Sequence, residues 1–115
     1  MKKVAVLAFQ GERNCFYHAL LNTLDMKERG MDVFLIIEGQ ATKLISELIK
    51  PEYPLHDLYV RIKEQNLIGA VCFGCSKMMG TLDTAKDECL PISGEMSGHV
   101  PVGEYVLAGY EVVTF

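Results

Sequence analysis

Apolar positions fall along this chain in two alternating arrangements. Residues 4–9 (Val-Ala-Val-Leu-Ala-Phe) and 33–37 (Val-Phe-Leu-Ile-Ile) are unbroken apolar runs, and residues 67–73 form a third run weakened only by Gly69. Runs without polar alternation are the pattern of strands covered on both faces, as in parallel sheets. Residues 110–115 are rich in β-branched and aromatic side chains and read as a last strand. Between the runs the spacing changes. Phe16, Leu20 and Leu24, with Tyr17 and Leu21 beside them, predict a helix over 12–29, with Gly30 as its left-handed stop. Leu44, Ile45, Leu48 and Ile49 predict a helix over 41–49 that Pro51 ends, and Leu55, Leu58, Tyr59 and Ile62 predict another over 55–65. A short helix over 75–79 closed by Gly80, a helical turn over 81–88 capped by the Thr81 hydroxyl, a short strand at 91–94 and a helix over 102–108 stopped by Gly109 complete the series. Strands alternating with helices imply parallel pairing and right-handed crossovers. The expected fold is α/β: a three-layer α/β/α sandwich around a mostly parallel sheet of five strands.

Length and charge narrow this picture. A chain of 115 residues has room for one domain, expected to span 1–115, and can bury a core without covalent staples. Half of its residues are hydrophobic, which excludes intrinsic disorder. No apolar run approaches the ~18 residues of a membrane span. Met1-Lys2-Lys3 before only six apolar residues does not read as a secretory leader, so a cytoplasmic protein is expected. A net charge of −4, with Lys2-Lys3 as the longest basic grouping, argues against a nucleic-acid partner. There is no GxGxxG, Walker, HExxH or GxSxG pattern.

The candidate chemistry lies in the four cysteines, Cys15, Cys72, Cys75 and Cys89. In a reducing compartment they call for an explanation other than disulfide staples. Cys72 falls at the carboxyl end of the third predicted strand, where open parallel sheets bind ligands. A helix begins directly after it, and free N–H groups at a helix start stabilise an anion such as a thiolate. Gly74 would let the backbone approach a substituent on that sulfur closely. The Cys72-Phe73-Gly74-Cys75 spacing supports three readings. It fits a redox pair in which one thiol attacks and the other resolves. It fits half of a metal or iron–sulfur site, with Cys89 as a third thiolate and Cys15 or His99 as a fourth ligand. It also fits a covalent sulfur carrier on Cys72 alone. A buried, inert cysteine in a binding or scaffold subunit is the alternative to all three.

Other residues are read more plainly. His99, in a loop at the same expected sheet edge, could tune the thiol or meet a substrate. Cys15 and His18 share a helix face at i, i+3, where a solvated histidine is the simpler reading. His56, at a helix start, is expected to be solvated, and Glu38, on the same sheet edge, to cap the helix that follows it rather than bind a ligand. Met78, Met79 and Met96 suggest an apolar contact surface.

Taken with these features, three stretches resemble the DsrE/DsrF-like family, which includes sulfur-relay proteins of the TusD/DsrE type. They are the strand and long helix closed by Gly30-Met31-Asp32-Val33, the Ile68-Gly69-Ala70-Val71-Cys72 strand followed by Gly80, and the Val112-Val113-Thr114-Phe115 ending. The resemblance covers essentially the whole chain. It implies a parallel five-stranded α/β/α domain that assembles into trimers or hexamers. It further implies a Cys72 that accepts sulfur as a persulfide from a donor protein and passes it to an acceptor. No organic cofactor is expected. Cys72 and Cys75 are then the reacting thiols, with Gly74, Ser76, Lys77 and His99 around what they carry. Two departures stand out. Met79 occupies a position where the sulfur-relay members often carry Arg, which leaves Lys77 as the nearby cation. Cys75 is an addition to the single-cysteine pattern.

Overall fold

A computed structural model describes residues 1–115. The order of elements is β1 (Lys3–Ala8), α1 (Arg13–Glu28), β2 (Asp32–Ile37), a 3-10 helix (Gly39–Leu44), α2 (Ile45–Leu48), α3 (His56–Glu64), β3 (Ile68–Cys72), α4 (Phe73–Met78), α5 (Leu82–Asp87), β4 (Ile92–Ser93), α6 (Val102–Leu107) and β5 (Glu111–Thr114). The five strands form one all-parallel sheet in the order β4-β3-β2-β1-β5. Helices flank the sheet on both faces, as the alternating pattern leads one to expect. No helix is long and apolar enough to cross a membrane.

The two faces of the sheet are covered unequally. Alternate side chains of β1 (Val4, Val6, Ala8) and β2 (Val33, Leu35, Ile37) pack with Phe16, Leu20 and Leu24 of α1, Ile45 and Leu48 of α2, and Tyr59 and Ile62 of α3. The other face holds a smaller core of Ala5, Ile36, Ala70, Cys72 and Val100, backed by Tyr105 of α6 and Tyr110. That helix is six residues long and buries none of them. Val106 and Leu107 on it stay exposed, Leu107 at 91%.

This asymmetry positions the site. The chain leaves β3 directly into α4, which packs beside the 3-10 helix. It leaves the neighbouring strand β4 toward α6, on the opposite face. Where adjacent parallel strands send their following segments to opposite faces, a crevice opens at their carboxyl ends. Cys72 stands at that point, paired with Ser93 across the β3–β4 ladder.

Two local expectations are corrected. The segment 41–49 is not one α-helix: the Thr42 hydroxyl donates to the Gly39 carbonyl at 2.8 Å, and the chain runs as a 3-10 helix before the single turn of α2. A side chain that bonds a carbonyl three residues back competes with regular α winding. Thr81 does not cap α5. Its hydroxyl is buried and donates instead to the Thr42 carbonyl at 2.8 Å, tying the α4–α5 turn to the 3-10 helix.

Candidate functional site: two thiols and an imidazole at the β3–β4 crevice

Cys72 is the last residue of β3 and the N-cap of α4. Its side chain turns toward the thinly covered face and is fully buried. The amide of Cys75, in the first turn of α4, donates to Cys72 Sγ at 3.5 Å. The sequence expectation of a strand-end sulfur facing a free backbone N–H is therefore met, though by one long contact. Cys75 itself is half-buried on the same side.

The third member comes from the loop after β4. His99 Nδ1 lies 3.2 Å from Cys72 Sγ and 3.5 Å from Cys75 Sγ. The loop is fixed against α4 by the Gly74 amide, which donates to the Gly98 carbonyl at 2.7 Å. It is closed on itself by Gly98 N–H to the Gly94 carbonyl and a Met96–His99 bridge, and buried Val100 anchors its far side. The sulfur and nitrogen donor atoms of Cys72, Cys75 and His99 all lie within 4.8 Å of one another.

Gly74 has a different role from the one expected of it. A Cβ there would come within 2.9 Å of the Gly98 carbonyl oxygen and 3.0 Å of the His99 ring. The missing side chain therefore makes room for the histidine loop rather than for a substituent on sulfur. Ser76 is likewise structural: buried, its hydroxyl donates to the carbonyls of Cys72 (2.7 Å) and Phe73 (3.1 Å) within α4. Lys77 is exposed, and its amine lies 5.8 Å from the centre of the Phe73 ring.

The structure corrects the reading of Glu38 as a cap. It makes no side-chain cap bond and is only 8% exposed. Burial pushes its carboxyl above the ordinary glutamate range, and the neighbouring His99 pulls it back in part. The same carboxylate bears on Cys75. Burial and the contact with Cys72 push the Cys75 thiol up to about 11, the charges of Cys72 and Glu38 add to the rise, and the Gly39 amide opposes it. The site is thus four groups from four segments: the ends of β2, β3 and α4's first turn, and the β4–α6 loop.

Three expected participants lie elsewhere. Cys89 is exposed and sits with Asn66 and Ile68 at the amino end of β3, the opposite end of the strand from Cys72. A metal site of Cys72, Cys75 and Cys89 is therefore not assembled; His99 stands where the third thiolate was expected. Cys15 faces Glu12 at the start of α1, and His18 beside it is exposed. His56 is not freely solvated: its Nδ1 contacts the Leu48 carbonyl at 2.7 Å.

Comparison with known proteins adds the fold and leaves the chemistry open. No family model matches the chain. An uncharacterised protein of Methanocaldococcus jannaschii is 28% identical over 96% of this chain and 93% of its own length. An uncharacterised protein of Archaeoglobus fulgidus is 44% identical over 36% of this chain and 67% of its own. Among solved structures, a conserved protein of unknown function from Bacteroides thetaiotaomicron superposes with a TM-score of 0.77 over 99% of this chain and 95% of that one, at 14% identity. At that identity the likeness establishes the parallel α/β/α fold, and no activity with it.

Proposed function

We propose that this chain is a thiol protein that receives and hands on sulfur at the Cys72–Cys75 pair, in the manner of the sulfur-relay proteins it resembles. The observation that carries the reading is the His99 imidazole placed 3.2 and 3.5 Å from the two sulfurs. An imidazole between two thiols can take a proton from one sulfur as it attacks and return it as the sulfur leaves.

Burial orders the two thiols. Cys72 has no exposed surface and Cys75 has some, so Cys75 is the sulfur a donor reaches first. This reverses the roles suggested by strand position alone. Cys75 Sγ gives its proton to His99 and attacks the outer sulfur of a donor persulfide, R–S–SH. The Cys75 S–S bond forms, the donor S–S bond breaks, and the donor leaves as a thiolate. A nucleophile on an acceptor then takes the outer sulfur, and Cys75 departs as a thiolate that recovers its proton from His99. Such chemistry suits the reducing interior of a cell. Assembly with further copies of the chain, which the resemblance implies, would cover Val106 and Leu107.

The test is cyanide-labile sulfur. Reduced, metal-free protein is exposed to a small persulfide donor, desalted and treated with cyanide, and the thiocyanate released is measured. Wild type is expected to release about one thiocyanate per chain, as a reversible persulfide cap would, Cys89→Ser the same, and Cys75→Ser little. Equal release from wild type and Cys75→Ser, or none from wild type, overturns the reading.

A further inference from the structure

We infer that Cys72, Cys75 and His99 form a binding site for a thiophilic divalent metal ion, zinc(II) in particular, with a fourth coordination position left open. The inference does not rest on sulfur transfer: it follows from donor type and spacing alone.

Tetrahedral zinc with Zn–S of about 2.3 Å and Zn–N of about 2.0–2.1 Å holds sulfur and nitrogen ligands about 3.5–3.6 Å apart and two sulfurs about 3.8 Å apart. The sulfur–nitrogen separations here are 3.2 and 3.5 Å, and the three donor atoms lie within 4.8 Å of one another. Small side-chain rotations suffice to reach coordination distances. Two thiolates and an imidazole are a donor set that suits zinc and not calcium or magnesium, which take oxygen ligands.

The surroundings also fit. The Cys75 amide donates to Cys72 Sγ, and such a donor steadies a coordinating thiolate. His99 presents Nδ1 to both sulfurs, and its loop is tied to the start of α4 through the Gly74–Gly98 hydrogen bond. Glu38, buried and without a cap bond, adds a carboxylate whose charge is felt at His99 and Cys75. Three protein ligands with an open position are the form of a reactive zinc site rather than of a closed structural one. Binding converts two thiols to thiolates and releases their two protons. The ion and a sulfur adduct would therefore compete for the same atoms.

Cobalt(II) reports this site directly. Full-length protein, reduced and freed of metal, is titrated with cobalt(II) and the visible and near-ultraviolet spectra are recorded. Expected are the intense visible bands of tetrahedral cobalt and a thiolate charge-transfer band, saturating at about one ion per chain. Cys89→Ser should bind within twofold of wild type, and Cys75→Ser and His99→Gln at least 10-fold more weakly. A wild type that shows only weak octahedral bands, or Cys75→Ser and His99→Gln variants that bind like wild type, overturns the inference. Should those variants fail to fold by circular dichroism, zinc(II) protection of wild type decides. One equivalent of zinc(II) should slow iodoacetamide labelling of Cys75 at least tenfold and leave Cys89 unchanged; equal labelling overturns the inference. The thiocyanate assay above uses metal-free protein, so either reading can fail while the other stands.

Discussion

His99 Nδ1 sits 3.2 Å from Cys72 Sγ, although the two residues are 27 positions apart in the chain. The contact depends on two glycines. Gly74 admits the Gly98 carbonyl and the His99 ring, and a Cβ on Gly94 would come within 2.9 Å of Phe73 Cβ. The imidazole is thus positioned by backbone packing, and its ring contacts are with the two sulfurs.

Gly74→Ala tests that packing. The nearest atom to the added Cβ is a backbone carbonyl at 2.9 Å, which cannot rotate away. Overpacking of this kind costs about 1–3 kcal/mol, against a helix-propensity gain of about 1 kcal/mol. Urea unfolding should show a net loss of stability, and Cys72 should label faster as the loop lifts. A variant as stable as wild type with Cys72 still protected contradicts the packing account.

Glu38→Gln should act on two observables. Removing the carboxylate removes one cause of the raised Cys75 thiol, so Cys75 should alkylate faster at pH 8 than in wild type. Stability should change as well. Because the folded Glu38 carboxyl titrates higher than the unfolded one, the native state holds more protons between the two values. Wild-type stability therefore falls as pH rises through that window, and the variant should lack this fall. Unchanged labelling would place Glu38 outside the site.

Tyr59→Phe tests a second buried contact. The Tyr59 hydroxyl donates to Glu88, which also meets Lys63 at 3.1 Å. The Tyr59 bond and Lys63 hold the Glu88 carboxyl below the ordinary range. Its stabilisation is complete above the ordinary glutamate value of about 4.3 and is lost as pH falls through the lower folded value. The variant should lose about 1 kcal/mol at neutral pH, the usual gain being discounted for partial exposure. The gap from wild type should close in acid; a gap independent of pH would point to packing alone.

Thr81→Val removes one of two donors to the Thr42 carbonyl, which keeps the Ile45 amide. A loss of about 0.5–1.5 kcal/mol is expected in thermal or urea unfolding. A neutral result would mean that water replaces the hydroxyl.

The strands were legible because parallel pairing buries both faces, so Val4 to Ala8 and Val33 to Ile37 are written as unbroken apolar runs. Cys72 was legible as a strand-end sulfur for the same reason. Cys75 was legible by its spacing and His99 as a loop residue at the same sheet edge, but the contact between them was not. His99 follows a strand of two residues, too short to give a periodic signal, and its loop is fixed to α4 through the Gly98 carbonyl. Glu38 looks like any polar residue before a helix until the fold buries it within reach of the His99 charge. Cys89 illustrates the converse: sequence proximity to Cys75 suggested a shared site, but α5 carries the chain back to the amino end of the sheet in between.

The central claim is that Cys75 is the receiving sulfur of a Cys72–Cys75–His99 centre. Peptide-resolved mass spectrometry of reduced protein after exposure to a persulfide donor tests it most directly. The account predicts an adduct of about 32 Da, one sulfur atom, on the peptide that holds Cys75, strongly diminished in His99→Gln, with none on Cys15 or Cys89. An adduct spread over all four thiols, or one on Cys75 that is indifferent to His99, would contradict it.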